Sequence, residues 1–285
     1  MAMGRNDVRL LIFGLGYTAQ MLAARVRGAG GVVVGTTRDG RDGTIRFDDG
    51  AAVALELGAA THILSSVPPA GEVDPVLVTY GTALRASGAW LGYLSSTGVY
   101  GDAGGAWVDE SAAIGSGRRN ARAEADAAWQ EIGARVFRLP GIYGPGRSPL
   151  DRVASGMAHR VDVADQVFSR CHVDDIARGV IAGFAAPPGA YNLADDLSAS
   201  QNAVVEFAAR LLGLAAPAFV PLETLSPMAR GFYAENRRVA NGKAKRVLGW
   251  RPLYPDYRAG LRALSAMIRP PITSAAPAPA SSDQR

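Results

Sequence analysis

The chain has 285 residues, is 48% hydrophobic and 20% charged, and contains one cysteine and three histidines. That composition suits one large globular unit with an appended lobe. The lone Cys171 excludes a disulfide framework or a Cys-rich metal centre, and His62, His159 and His172 lack ligand spacing, so no metal is expected. The net charge is +4, but Arg230 to Arg251 alone holds seven basic residues and one acid. Such a confined excess suits a small anionic ligand, or merely a basic surface, better than the spread basic stripe of a nucleic-acid binder.

In chain order, residues 9–14 (RLLIFG) form a short apolar run ending on glycine, which predicts a buried strand. A helix follows from Thr18, with Ala19, Leu22, Ala23 and Val26 at helical spacing and Gly28 and Gly30 as its stop. Residues 32–36 (VVVGT) have the continuous apolar pattern of a strand covered on both faces. Strand-like runs recur at 61–67, 90–95 and 135–139, with helical stretches at 75–87 and 118–132. This alternation predicts an α/β fold: a Rossmann-type, doubly wound parallel sheet with a small C-terminal substrate lobe. The expected division is a dinucleotide-binding domain over 1–147 to which 172–186 return, a lobe from 148–171 and 187–268, and a disordered tail over 269–285, which is rich in Pro, Ala and Ser. No apolar run reaches the roughly 18 residues of a membrane span. Residues 1–7 lack the apolar stretch of a signal peptide, so a cytoplasmic location is expected.

Gly14-Leu15-Gly16-Tyr17-Thr18-Ala19 matches G-x-G-x-x-G/A between a strand and a helix. The first glycine allows the tight turn and the second lets the backbone approach a diphosphate. The small third residue permits close helix–strand packing. Where the second predicted strand ends, NAD sites usually carry an acid for the ribose hydroxyls. Here the residues are Thr37 and Arg38, a hydroxyl and a cation suited to a 2′-phosphate, so NADP is expected, with NAD possible. Ser65, Ser66 and Val67, at the end of the fourth predicted strand, would lie against the cofactor.

Several stretches taken together resemble the extended short-chain dehydrogenase/reductases, the NAD(P)-dependent epimerase/dehydratase-like family, in an atypical form. They are YLSSTGVYGD at 93–102, VDE at 108–110, RLPGIYGPG at 138–146, CHVDDIA at 171–177, YNL at 191–193, and KA at 243–244 with LGWRP at 248–252. The resemblance implies a cofactor wall including Ser95, Pro140 and Gly141. It places the hydroxyl that hydrogen-bonds the substrate oxygen at Ser96, with Thr97 as the alternative. It also implies substrate-gripping arginines, for which Arg170, Arg237 and Arg238 are candidates; a surface-charge role is the other reading. His172 could face cofactor or substrate, or be a core histidine, and Asp174 is expected to cap a helix.

The family's Tyr-x-x-x-Lys acid/base pair is missing. No Tyr or Lys occurs between Asp102 and Leu139, and the only lysines are Lys243 and Lys245. Arg118 and Arg122 stand one helical turn apart where that pair belongs, with Asp126 a turn further; the alternative is a solvated face with an Arg122–Asp126 pair. A guanidinium cannot pass a proton at working pH, but it can hold an anion. Tyr100 and Tyr143 are the candidates for a relocated phenol, or else packing residues. The expected function is hydride exchange between NADP and a small polar, anionic substrate, as an oxidoreductase or epimerase. The alternative is a non-catalytic NADP(H)-binding sensor. Neither nucleic acid nor membrane is an expected partner, and a homodimer is possible.

Overall fold

The computed structural model describes residues 8–115 and 120–268. Arg118, the N-terminal seven residues and the expected tail at 269–285 lie outside the described residues. The first half of the fold runs β1 (Arg9–Phe13), α1 (Tyr17–Gly28), β2 (Val32–Thr37), β3 (Ile45–Arg46), α2 (Gly50–Ala59), β4 (His62–Ser65), α3 (Pro75–Ala86), β5 (Trp90–Ser96), the short β6 (Trp107–Val108), α4 (Asn120–Glu131) and β7 (Arg135–Leu139). The second half runs β8 (Gly141–Tyr143), α5 (Pro149–Ala154), β9 (Arg170–His172), α6 (Val173–Ala182), β10 (Gly189–Asn192), α7 (Gln201–Leu212), α8 (Pro227–Tyr233), β11 (Arg238–Val239), α9 (Gly242–Val247) and α10 (Tyr257–Ile268).

Seven strands pair in parallel in the order β10-β7-β5-β4-β1-β2-β3. β1 lies between β2 and β4, so successive crossovers diverge there and open a crevice beyond the strands' carboxyl ends. Side chains alternate along a strand, which explains the continuous apolar runs. Leu10 and Ile12 pack with Leu22, Val26 and Ile176 on one face. Leu11 and Phe13 pack with Val53, Tyr93 and Trp129 on the other. Both faces are dry.

α6, within the expected returning stretch 172–186, packs against α1 and is clamped by Arg25, which donates to both Asp174 carboxylate oxygens at 2.6 Å. The sheet unit reaches further than the sequence indicates. β10, expected in the lobe, joins the edge of the main sheet through Tyr191 opposite Phe137. The lobe core is helical: Leu150, Val204, Phe207, Tyr257 and Leu261 bring α5, α7 and α10 together.

Candidate active site

At the turn after β1, Gly14 has φ +81°, and a Cβ there would lie 2.9 Å from Val67 Cγ2 and 3.3 Å from the Val67 nitrogen. Glycine is therefore required by both conformation and space. The turn is tied to β2 by the Leu15 amide, which donates to the Thr36 carbonyl at 2.9 Å. Gly16 then opens α1 without a side-chain cap and with no acid in the first turn. By contrast, α2, α3, α5, α6, α7 and α8 each begin on a side-chain acceptor: Asp49, Asp74, Ser148, His172, Ser200 and Ser226. A Cβ on Gly16 would meet nothing within 4 Å. The first-turn amides of α1, with the positive end of the helix dipole, thus border open space, as an anion site requires. Ala19 is fully buried where the helix approaches the sheet.

Thr37 accepts from the Gly40 amide at 3.0 Å and pairs with the Thr44 hydroxyl at 2.7 Å, so it shapes the loop after β2. Arg38 on that loop is exposed and has no hydrogen bond or ion pair among the described residues. Ser65 is buried and accepts from the Val67 amide at 3.4 Å, while Ser66 reaches the cleft.

A cleft of about 890 Å³ runs from Tyr17 and Thr18 at the start of α1, past Ser95, Ser96 and Thr97 at the end of β5, to Arg170 and Arg237 in the lobe. Pro140 and Gly141 form part of its wall. Ser96 Oγ accepts from the Gly98 amide at 3.1 Å, which leaves its O–H as a donor; Thr97 is nearly buried but lines the same space. Ser95 is committed differently, donating to Asp126 Oδ2 at 2.6 Å.

Asp126 anchors the floor of the site. The alternative reading, a solvated face with an Arg122–Asp126 pair, does not hold. Asp126 is 0% exposed and, besides the Ser95 bond, takes two hydrogen bonds from Arg138, at 3.0 Å from Nε and 2.7 Å from Nη2, and a fourth from Gln130 at 2.8 Å. The carboxylate therefore faces inward and Arg122 borders the cleft. Burial works against the Arg138 charge, but pairing with Asp126 outweighs it and holds the guanidinium charged.

Neither proposed phenol reaches the cleft. Tyr100 is buried, donates to Asn192 Oδ1 at 2.8 Å and accepts from Arg138 Nη1 at 2.9 Å. Burial raises its pKa against the pull of Arg138. Tyr143 is buried beside the Cα of Gly260, its hydroxyl has no hydrogen-bond partner among the described residues, and burial pushes its ionisation strongly upward. Both are packing residues.

Arg238 also turns away, donating to the Gly105 carbonyl. Arg237 lines the cleft but is held by Gly101 O at 2.6 Å and Glu235 at 2.9 Å. Arg170 lines it too, with its guanidinium spent on the Phe168 and Ala199 carbonyls and Gln201; burial brings its pKa down to about 10. His172, not Asp174, caps α6, its Nδ1 accepting from the Asp174 amide at 3.2 Å. It sits in the core between the Tyr143 and Tyr254 rings, off the cleft, with Nε2 unpartnered among the described residues.

Arg147, Arg152, His159, Phe168 and Tyr233 line the cleft without having been singled out by sequence. The only available signal was position: Arg147 follows the Tyr-Gly-Pro-Gly turn, and Arg152 lies in the short helix after it. Among the described lining residues, five arginines face a single acid, Glu235.

This sheet, with its crevice at the strand ends and its lobe, has the fold of the NAD(P)-binding epimerases and dehydratases. The structure superposes on human epimerase family protein SDR39U1 with NADPH (TM-score 0.74, 17% identity, 91% of this chain and 99% of that one). It also superposes on Helicobacter pylori ADP-L-glycero-D-manno-heptose-6-epimerase (TM-score 0.74, 15% identity, 94% and 98%). A conserved protein of unknown function from Silicibacter pomeroyi is 40% identical over 91% of this chain and 99% of its own, with TM-score 0.85, and the chain belongs to that protein's family. A curated Streptomyces relative, 3-diazoavenalumate denitrifying reductase, is 29% identical over 156 residues, 50% of this chain and 51% of the relative, so the chain spans about half the length of the curated relative it matches. No family model matches the chain. No described helix is long and apolar enough to cross a membrane.

Proposed function

We propose that the chain is an NADP-dependent oxidoreductase of the epimerase/dehydratase type acting on a small polar, anionic molecule. The observation that carries this reading is the continuity of one cleft from the uncapped start of α1, past the Ser96 and Thr97 hydroxyls, to the lobe arginines. The residues present fit a dinucleotide. Gly14 and Gly16 keep side chains off the turn, the amides of Tyr17 and Thr18 would hold the diphosphate, and Arg38 would take the 2′-phosphate. A nicotinamide bound there supplies hydride chemistry. The chain's own part is to polarise the substrate oxygen through Ser96 or Thr97 and to hold its anionic group with arginine.

The test is fluorescence titration of NADPH into purified protein, followed by turnover on a panel of carbonyl and alcohol acids. Ser96→Ala should abolish turnover and spare NADPH binding; unchanged turnover removes Ser96 from the mechanism. The missing Tyr–Lys pair favours a second reading, an NADP(H)-binding sensor. That reading predicts binding without turnover on any substrate. The reductase name of the Streptomyces relative supports the enzyme.

A further inference from the structure

We propose that the lobe half of the cleft takes an amphipathic anion: a carboxylate or phosphate on an apolar, ring-bearing body. This rests on the oxidoreductase reading and adds the substrate's chemical class.

The first observation is the seating of α8. A surface helix normally buries its apolar side against the core. In α8 no residue is buried, yet Ala229 and Tyr233, one helical turn apart, both line the cleft, as does Leu225 just before the helix. Phe168 extends this wall, its ring edge-on to Tyr233 at 5.6 Å and 90°. The apolar side of α8 therefore faces the space a substrate would fill.

The second observation is charge. Arg170 and Arg237 are saturated by carbonyls, Gln201 and Glu235. Arg147 and Arg152 line the same cleft and pair with no carboxylate among the described residues: Arg147 lies over the Tyr17 ring at 5.7 Å, and Arg152 donates only to the Met157 carbonyl at 3.1 Å. Arg152, whose charge acts on Tyr233, thus sets a guanidinium without an acid partner beside the apolar wall, and Arg147 adds a second toward α1; together they select an anion.

The body carrying that anion follows from the wall. Leu225, Ala229 and Phe168 offer no side-chain hydrogen bonds, so a polyol laid against them would lose water without replacement. A ring would gain by burial and by edge or face contact with Phe168 and Tyr233.

The test uses the full chain loaded with NADPH and calorimetric titration of four probes. Cinnamate and phenyl phosphate each join an anion to a ring, glucose 6-phosphate keeps the anion on a polar body, and benzyl alcohol keeps the ring without the charge. At least one aryl anion should bind tenfold or more tighter than both controls, and the better of the two identifies carboxylate or phosphate. Arg152→Gln should erase the preference over benzyl alcohol. Tyr233→Ser, or Ala229→Asp if that variant melts early, should erase the preference over glucose 6-phosphate, with NADPH binding unchanged throughout. Glucose 6-phosphate binding as tightly as the aryl anions, or none of the probes binding, overturns the proposal. Should NADPH itself fail to bind, the oxidoreductase reading falls separately. The same four titrations on the cofactor-free protein then decide the substrate class by the same criterion.

Discussion

Gly16→Ala separates cofactor binding from folding. Gly16 has φ −90° and ψ −169°, which alanine adopts without strain, and the added methyl would meet no protein atom within 4 Å. Restricting the unfolded chain gains about 0.4–1 kcal/mol. Alanine is the poorer helix N-cap by a similar amount, roughly 0.5–1 kcal/mol. The two nearly cancel, so the cofactor-free variant should melt within about 4 °C of wild type. The methyl would, however, enter the open space over the first-turn amides, where a diphosphate has to approach. A tenfold loss of NADPH affinity corresponds to about 1.4 kcal/mol and is the least expected. At a ligand concentration of about 100 times Kd, binding stabilises wild type by roughly 2.7 kcal/mol, a melting shift of about 5–10 °C. That shift should shrink clearly in the variant. Gly14→Ala is the contrast: at φ +81° with Val67 Cγ2 2.9 Å from the new Cβ, it should destabilise the protein even without cofactor. Thermal melts with and without NADPH, together with fluorescence titration, measure both effects. A Gly16→Ala protein that binds NADPH like wild type would refute the reasoning.

Arg38→Ala should weaken NADP more than NAD in parallel titrations, by the worth of one exposed charge-assisted contact, and equal losses would remove Arg38 from the 2′-phosphate. Asp126→Asn leaves Arg138, 3% exposed, with an uncompensated buried charge, and should cost about 3–5 kcal/mol in urea unfolding. Asp126→Leu combined with Arg138→Met should recover much of that loss; a double variant less stable than the single would contradict the argument. Burial, opposed by Arg170, pushes the Asp195 carboxyl up to about 8, against an unfolded value of about 3.9. The folded chain therefore holds a proton there that the unfolded chain has lost, so this group's contribution to stability falls as pH rises between those values. Asp195→Asn should abolish that decline, and identical pH–stability curves for the two proteins would show that Asp195 titrates normally.

The strand–turn–helix at the N-terminus was legible because its constraints are local: a continuous apolar run, a glycine at positive φ and a helical apolar stripe coincide within twenty residues. Tertiary pairing was not. β10 follows Pro187-Pro188 and spans only Gly189–Asn192, too short to announce a strand before β7 supplies its partner. The spacing of Asp126 from Arg122 left a solvated face open as one reading. The same spacing argument, taken from Ala123 and Trp129, places Asp126 on the buried stripe of α4. A carboxylate on that stripe needs a cation, and the cation comes from β7, out of reach of any helical rule. Tyr100 and Tyr143 failed as phenol candidates for a related reason: a tyrosine in a conspicuous motif gives no sign of which side of the backbone its hydroxyl takes.

The buried Asp126–Arg138 pair also bears on what replaces the missing acid/base pair. Ser95 is fixed to Asp126, and Ser96 and Thr97 follow it directly on the same strand end, so the cleft hydroxyls stand on a floor set by a charged pair. Arg122, one turn before Asp126 on α4, is thereby presented to the cleft instead of being consumed by its own helix. A permanent cation at that point stabilises negative charge on a bound molecule but exchanges no proton. Orientation and charge neutralisation are what this floor supplies. Besides the hydroxyls, the side chains along the cleft that can exchange a proton are Tyr17 at the start of α1 and His159, Tyr233 and Glu235 toward the lobe.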